Sequence, residues 1–120
     1  MYVANVLFED EEVTDIEREY LEKYAAYLEE IPATNEEEIE DLYEKAVKGD
    51  EKAQARLATI YMKLVVKAVK EMKQTEVFIG DLIQVGNIGV ILGLEKITDT
   101  KTAHKVIMEQ VRKSIGEEIG

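Results

Sequence analysis

Helix-start and helix-stop signals punctuate this chain at almost every boundary, with apolar residues recurring at helical spacing between them. That punctuation constrains the fold more than any other feature. Thr14-Asp-Ile-Glu17 has the form of a capping box, in which the Thr hydroxyl and the Glu carboxylate each satisfy a free amide at a helix start. Ile16, Tyr20, Tyr24, Tyr27, Leu28 and Ile31 then follow at helical intervals. Pro32 closes that helix, because the residue before a proline is pushed out of the helical region. Thr34-Asn-Glu-Glu37 repeats the capping logic, and Ile39, Leu42, Tyr43, Ala46 and Val47 supply the second apolar stripe. Gly49 stops that helix and Asp50 is placed to cap a third.

The third helix is predicted over about 51–73, with Ala53, Leu57, Ile60, Leu64, Val65, Ala68 and Met72 along one side. Arg56, Lys63, Lys67 and Lys70 cluster on another side, a stripe that suits either solvent or nucleic acid. Residues 74–80 read as a short connector anchored by Phe78, and a fourth helix runs from about Asp81 to Lys96. Gly86, Gly89 and Gly93 stand at i, i+3 and i+7 on it. Each costs a helix roughly 1 kcal/mol against alanine, so three on one strip predict close backbone packing. After a polar turn at Thr98–Thr102, a last helix buries Ala103, Val106, Ile107, Val111, Ile115 and Ile119. Only residues 2–8 offer a strand-like pattern. The fold expected is all-α, a compact bundle of about five helices, with an acidic N-terminal segment (1–33) preceding a helical domain over 34–120.

A chain of 120 residues can bury roughly two-thirds of its extended surface, enough for one core. It has no cysteine, which excludes disulfides, a thiolate nucleophile and Cys-based metal sites. Its apolar N-terminus lacks the basic flank and length of a secretory signal, and no stretch suits a bilayer. A cytoplasmic protein without a membrane partner is expected. The net charge is −11, with 18 acidic and 6 basic side chains in residues 1–60 against 8 and 9 in residues 61–120. Acidic surface repels phosphate, so any nucleic-acid contact belongs to the second half. His104 has no second histidine or cysteine near it and reads as an ordinary surface residue. The carboxylate runs 9–12 and 36–38 lack calcium-loop spacing. Ser114 has no visible base partner, and Gly86–Gly93 is not a phosphate loop. The chain is therefore read as a non-enzyme, with no metal and no cofactor.

The segment Asp81-Leu-Ile-Gln-Val-Gly-Asn-Ile-Gly89 carries the functional signal. On a helix Asp81, Gln84 and Ile88 share a face, with Asn87 one turn beyond Gln84. Oriented polar groups beside the apolar residues Leu82, Ile83 and Ile88 suit an interface better than catalysis, for they include no nucleophile and no matched acid and base. Core packing accounts for Ile83 and Ile91 on the same helix.

This segment resembles the polymerase-docking motif of the sigma-70 family, the subunits that direct bacterial RNA polymerase to promoters. Its family counterpart is Asp-Leu-Ile-Gln-Glu-Gly-Asn-Ile-Gly. Tyr27-Leu-Glu-Glu-Ile31 is similar to the family's Tyr-Leu-x-Glu-Ile; Thr34 to Glu38 and Gly49-Asp50-x-x-Ala53-x-x-x-Leu57 follow at the family's spacing. Tyr61-Met-Lys-Leu-Val-Val66 stands where the family has Asn-Leu-Arg-Leu-Val-Val. Together these resemble region 2, with part of region 1.2, from about Tyr24 to Ile119. The resemblance implies core RNA polymerase as partner, through the clamp helices of its β′ subunit. Asp81, Gln84 and Asn87 would make polar contacts there and Leu82 and Ile88 apolar support, with Val85 replacing a family Glu on that surface.

The last helix departs from the family's Phe-Ser-Thr-Tyr-Ala-x-Trp-Trp-Ile-Arg-Gln-Ala-Ile. Aligning Val111-Arg-Lys-Ser-Ile115 with its end puts Ala103 at the Phe, Val106 at the Tyr, and Glu109 and Gln110 at the two Trp. Those aromatics hold flipped promoter bases, and stacking is worth about 1–3 kcal/mol per base. Val106, Glu109 and Gln110 cannot supply it, and Lys113 replaces a base-reading Gln. Lys105, Arg112 and Lys113 remain as DNA-binding candidates, with promoter DNA a weaker partner than polymerase and an anti-sigma factor a further one. The chain stops where region 2 ends, either as a domain of a longer protein or at its natural end. Three readings stay open: a sigma-like domain that occupies or modulates polymerase, a working but divergent sigma factor that recognises the −10 element, and an acidic helical adaptor without polymerase.

Overall fold

The computed structural model describes residues 13–73 and 76–120. Five helices occur among them: α1 (Asp15–Glu29), α2 (Glu36–Val47), α3 (Glu51–Met72), α4 (Ile79–Leu94) and α5 (Ala103–Ile119). No strand is present among the described residues, so the molecule is all-α, as the periodicity predicts. The strand-like pattern at 2–8 lies outside the described residues. None of the described helices is long and apolar enough to cross a membrane.

The caps explain most of the boundaries. Thr14 and Glu17 form the full capping box on α1. On α2 the cap is Asn35, one residue later than expected, its side chain accepting from the Glu38 amide at 2.8 Å. Thr34 instead donates its hydroxyl to Glu38 at 2.6 Å. Asp50 caps α3 through the Ala53 amide. α4 begins at Ile79, two residues earlier than the sequence suggests, with Phe78 at the N-cap position and no cap from that side chain.

The core is centred on the antiparallel pair α4 and α5. Gly86, Gly89 and Gly93 form the predicted strip. A Cβ on Gly89 would stand 2.9 Å from the Val111 Cα, and one on Gly93 would stand 2.8 Å from the Ile107 Cα. Glycine is needed at both because the opposing atoms are backbone and cannot turn aside. α3 packs against α4 and α5, α2 against α3, and α1 against the first half of α4. The body measures 43 × 32 × 19 Å, about two helices deep.

Several predicted stripes are rotated. On α1 the buried residues are Glu17, Leu21, Ala25 and Leu28, while Ile16 and Tyr27 are exposed and Tyr20, Tyr24 and Ile31 are half-buried. The tyrosines lie along the flank of α1, where their rings pack on one another and the Tyr24 hydroxyl reaches a polar partner. On α3, Tyr61, Val66 and Val69 are buried and Ile60, Leu64 and Met72 only partly so, because α2, α4 and α5 cover more than one of its sides. Val106 and Ile119 of α5 are likewise only partly buried. Ile91, expected in the core, is 52% exposed on the outer face of α4.

Arg56 leaves the basic stripe. It donates to Glu38 at 3.0 Å and to the carbonyls of Pro32 and Ala33 at 3.2 Å, tying the α1–α2 linker to α3. His104 is also more than a surface residue. Its Nδ1 lies 2.8 Å from the Tyr61 hydroxyl, which lies 2.5 Å from that of Tyr43. This chain of hydrogen bonds joins α5, α3 and α2. Burial first, then the neighbouring Tyr43, pushes the Tyr61 phenol far above its usual range.

Candidate functional site

α4 is enclosed on three sides and open on the fourth. Leu82, Ile83, Gly86, Gly89, Val90, Gly93 and Leu94 are buried against α3 and α5. Asp81, Gln84, Ile88, Ile91, Leu92 and Glu95 are exposed. At about 100° per residue these six fall on one outward stripe along the whole helix. Asp81, Gln84 and Ile88 therefore share a face, as their spacing implies. That face continues into an apolar ridge, for Ile88, Ile91 and Leu92 are 54%, 52% and 39% exposed.

The other residues of the motif take different positions. Leu82 is fully buried, so it supports the face from beneath and does not stand on it. Val85 and Asn87 are half-buried. Asn87 turns toward α1, where its amide donates to the Tyr24 hydroxyl at 3.1 Å, and its Oδ1 is buried with no hydrogen-bond partner. Burial raises the Tyr24 phenol above its usual range, and the bond from Asn87 only partly offsets this.

The start of α4 is held by a side chain from α1. The Ile79 amide donates to Glu17 Oε2 at 2.7 Å, across 62 residues of sequence. Lys73 Nζ lies 3.2 Å from the same oxygen, with the Lys and Glu side chains 2% and 5% exposed. Glu17 Oε1 accepts from the Thr14 amide at 3.1 Å. Burial works to raise the Glu17 pKa, but the bonds from Thr14, Ile79 and Lys73 outweigh it and hold the carboxyl below its usual range. The Tyr20 ring meets Phe78 edge-on at 5.6 Å. Gly80 leaves room for both rings, since a Cβ there would lie 2.6 Å from the Phe78 ring.

These α1 contacts were not legible as site features. Glu17 reads in sequence as the cap of its own helix, which it also is. The one available signal was Phe78, an apolar residue where a helix start calls for an acceptor.

A second candidate surface lies between α3 and α5. A cleft of about 460 Å³ has Leu64, Ala68 and Met108 among its lining, with Lys67, Lys105 and Arg112 contributing positive charge and Glu71 and Glu109 negative. Lys105 and Arg112 thus come together, as the sequence proposes. Lys113 is exposed about 100° further round α5 than Arg112 and is not part of the lining. Gln110 is buried, accepting from Lys96 Nζ at 2.5 Å and donating to Ser114 at 3.2 Å, so it serves the fold. Among the described residues, no three His, Cys, Asp or Glu side chains gather as a metal site.

Fold and surface together define a small helical bundle in which one helix carries an exposed stripe of polar and apolar residues. The chain is 36% identical over 70 residues to the RNA polymerase sigma-E factor of Clostridium acetobutylicum, covering 58% of this chain and 30% of that protein. It is also 36% identical over 78 residues to the RNA polymerase sigma factor SigA of a Bacillus species, covering 62% of this chain and 21% of that protein. The chain is thus related in sequence to RNA polymerase sigma factors, and it matches less than a third of the length of each. No family model matches it, and no solved structure matches it.

Proposed function

We propose that this chain is a sigma-70 region 2-like domain that docks on core RNA polymerase through the outward face of α4. Its role is then in transcription initiation or the regulation of initiation. The observation that carries the reading is the stripe of Asp81, Gln84 and Ile88, exposed on a helix whose other sides are packed. The partner surface is the pair of clamp helices of the β′ subunit. Leu82 and Val85 back the contact. Asn87 acts through its bond to Tyr24, which fixes the flank of the face. Residues 34–120 form the region 2-like unit, and 1–33 the acidic segment before it. An anti-sigma factor is a further partner of this class of domain.

Promoter opening is weakened in this reading. Glu109 is an exposed carboxylate, Gln110 is buried and Val106 is small, so none offers a stacking platform. The test is binding to purified core polymerase. An Asp81→Lys/Gln84→Ala double variant is expected to bind at least about tenfold more weakly, with unchanged helical content by circular dichroism. Equal binding by that variant sinks the site assignment.

The cleft between α3 and α5 favours a second reading, a divergent sigma factor domain that still meets promoter DNA. Lys67, Lys105 and Arg112 would contact phosphates around an apolar lining. A fluorescent single-stranded −10 oligonucleotide, added to the polymerase-bound chain, separates the readings. Capture that falls steeply with salt and is lost in Lys105→Glu/Arg112→Glu favours DNA recognition. Polymerase binding without capture favours an occupying or modulating role.

A further inference from the structure

We propose that Glu17 is a positioning residue for the docking helix: by capping α4 from α1, it leaves the Asp81 carboxylate free for the partner. This rests on the docking reading above. Asp81 is the third residue of α4, the position from which an acidic side chain commonly reaches back to the amide of the N-cap residue, here Phe78, next to the Ile79 amide that Glu17 holds. Here it does not. Asp81 is exposed, and its carboxylate takes no hydrogen bond or ion pair from another described residue. The acceptor at the helix start is Glu17, on the Ile79 amide at 2.7 Å.

The arrangement is also well fixed. Glu17 is 3% exposed and held by Thr14 and Lys73 as well as by Ile79. Phe78 offers no acceptor of its own. Without Glu17, the amides and positive dipole end of α4 are left facing one nearby acid on the same turn, Asp81. Drawn back to cap its own helix, that carboxylate is lost to the outward face.

A double-mutant cycle tests this, because a residue acting through Asp81 does nothing once Asp81 is gone. Binding to core RNA polymerase is measured well below the unfolding transition. Asp81→Ala is expected to weaken binding about tenfold, Glu17→Met about fivefold, and the pair no more than Asp81→Ala alone. Losses that multiply independently overturn the proposal and leave the docking reading standing. Full affinity in Asp81→Ala overturns the docking reading and this proposal with it.

Glu17→Met removes the carboxylate paired with the buried Lys73, so Glu17→Met/Lys73→Met is measured alongside it. Amide exchange gives a readout that needs no partner. Ile79 is expected to exchange faster in that double variant while Val90 stays unchanged, and unaltered Ile79 exchange overturns the capping role.

Discussion

Glu17 completes the capping box of its own helix, starts another helix and neutralises a buried lysine. Its folded-state pKa is held below the usual carboxylate range, so its contribution is fully present at neutral pH. That contribution is lost as pH falls through the usual range toward the folded value. The gap in stability between the native protein and Glu17→Gln is therefore expected to be about 3 kcal/mol near neutrality and to shrink on acidification, as read by urea unfolding across a pH series. Tyr61 makes a second prediction at this scale. Tyr61→Phe removes the hydroxyl between Tyr43 and His104 and strands the buried Tyr43 hydroxyl, at an expected cost of about 1–3 kcal/mol in the same measurement. Neither residue was legible in this role. Tyr43 reads as a member of an apolar stripe and Tyr61 only as the start of a family-like segment, and no local pattern reports a partner 18 or 43 residues away.

For whole helices the reading from sequence was far better, because caps and periodicity are local. Asp50 and Thr14 stand where their helices begin, and Pro32 falls beyond the end of α1. Rotation is what spacing leaves open: apolar intervals point Ile16 and Tyr27 inward on α1, yet both are exposed, because spacing alone does not say which flank a tyrosine shares with solvent. The glycine strip of α4 was legible from its cost alone, and it makes a contrast that can be measured. Gly89→Ala would drive a Cβ to 2.9 Å from a backbone atom of α5 and is expected to lose about 1–3 kcal/mol despite its better helix propensity. Gly116, on the open side of α5, has only the Met72 methyl at 3.8 Å, so Gly116→Ala is expected to gain about 1 kcal/mol. Chemical denaturation of the two variants reads both signs.

For the molecule as a whole, α1 is the lightly attached part. It meets the first half of α4 through Glu17, Tyr20 and Tyr24, whereas α4 and α5 are joined along most of their length. Hydrogen exchange is accordingly expected to proceed through α1 well before α4 and α5, at free energies below that of global unfolding. The outward stripe of α4 is legible because Asp81 and Gln84 at helical spacing do not serve a core, whereas Asn87, read with them, faces α1. Its dependence on α1 was not, because Glu17 and Tyr24 reach α4 only through the tertiary fold. The glycine strip has one further effect. With Gly89 and Gly93 leaving α5 backbone against α4, the two helices have little side-chain padding there to absorb a displacement. The exposed ridge on α4 and the α5 side of the mixed-charge cleft thus belong to a single stiff beam. A displacement of one edge is therefore expected to carry the other with it.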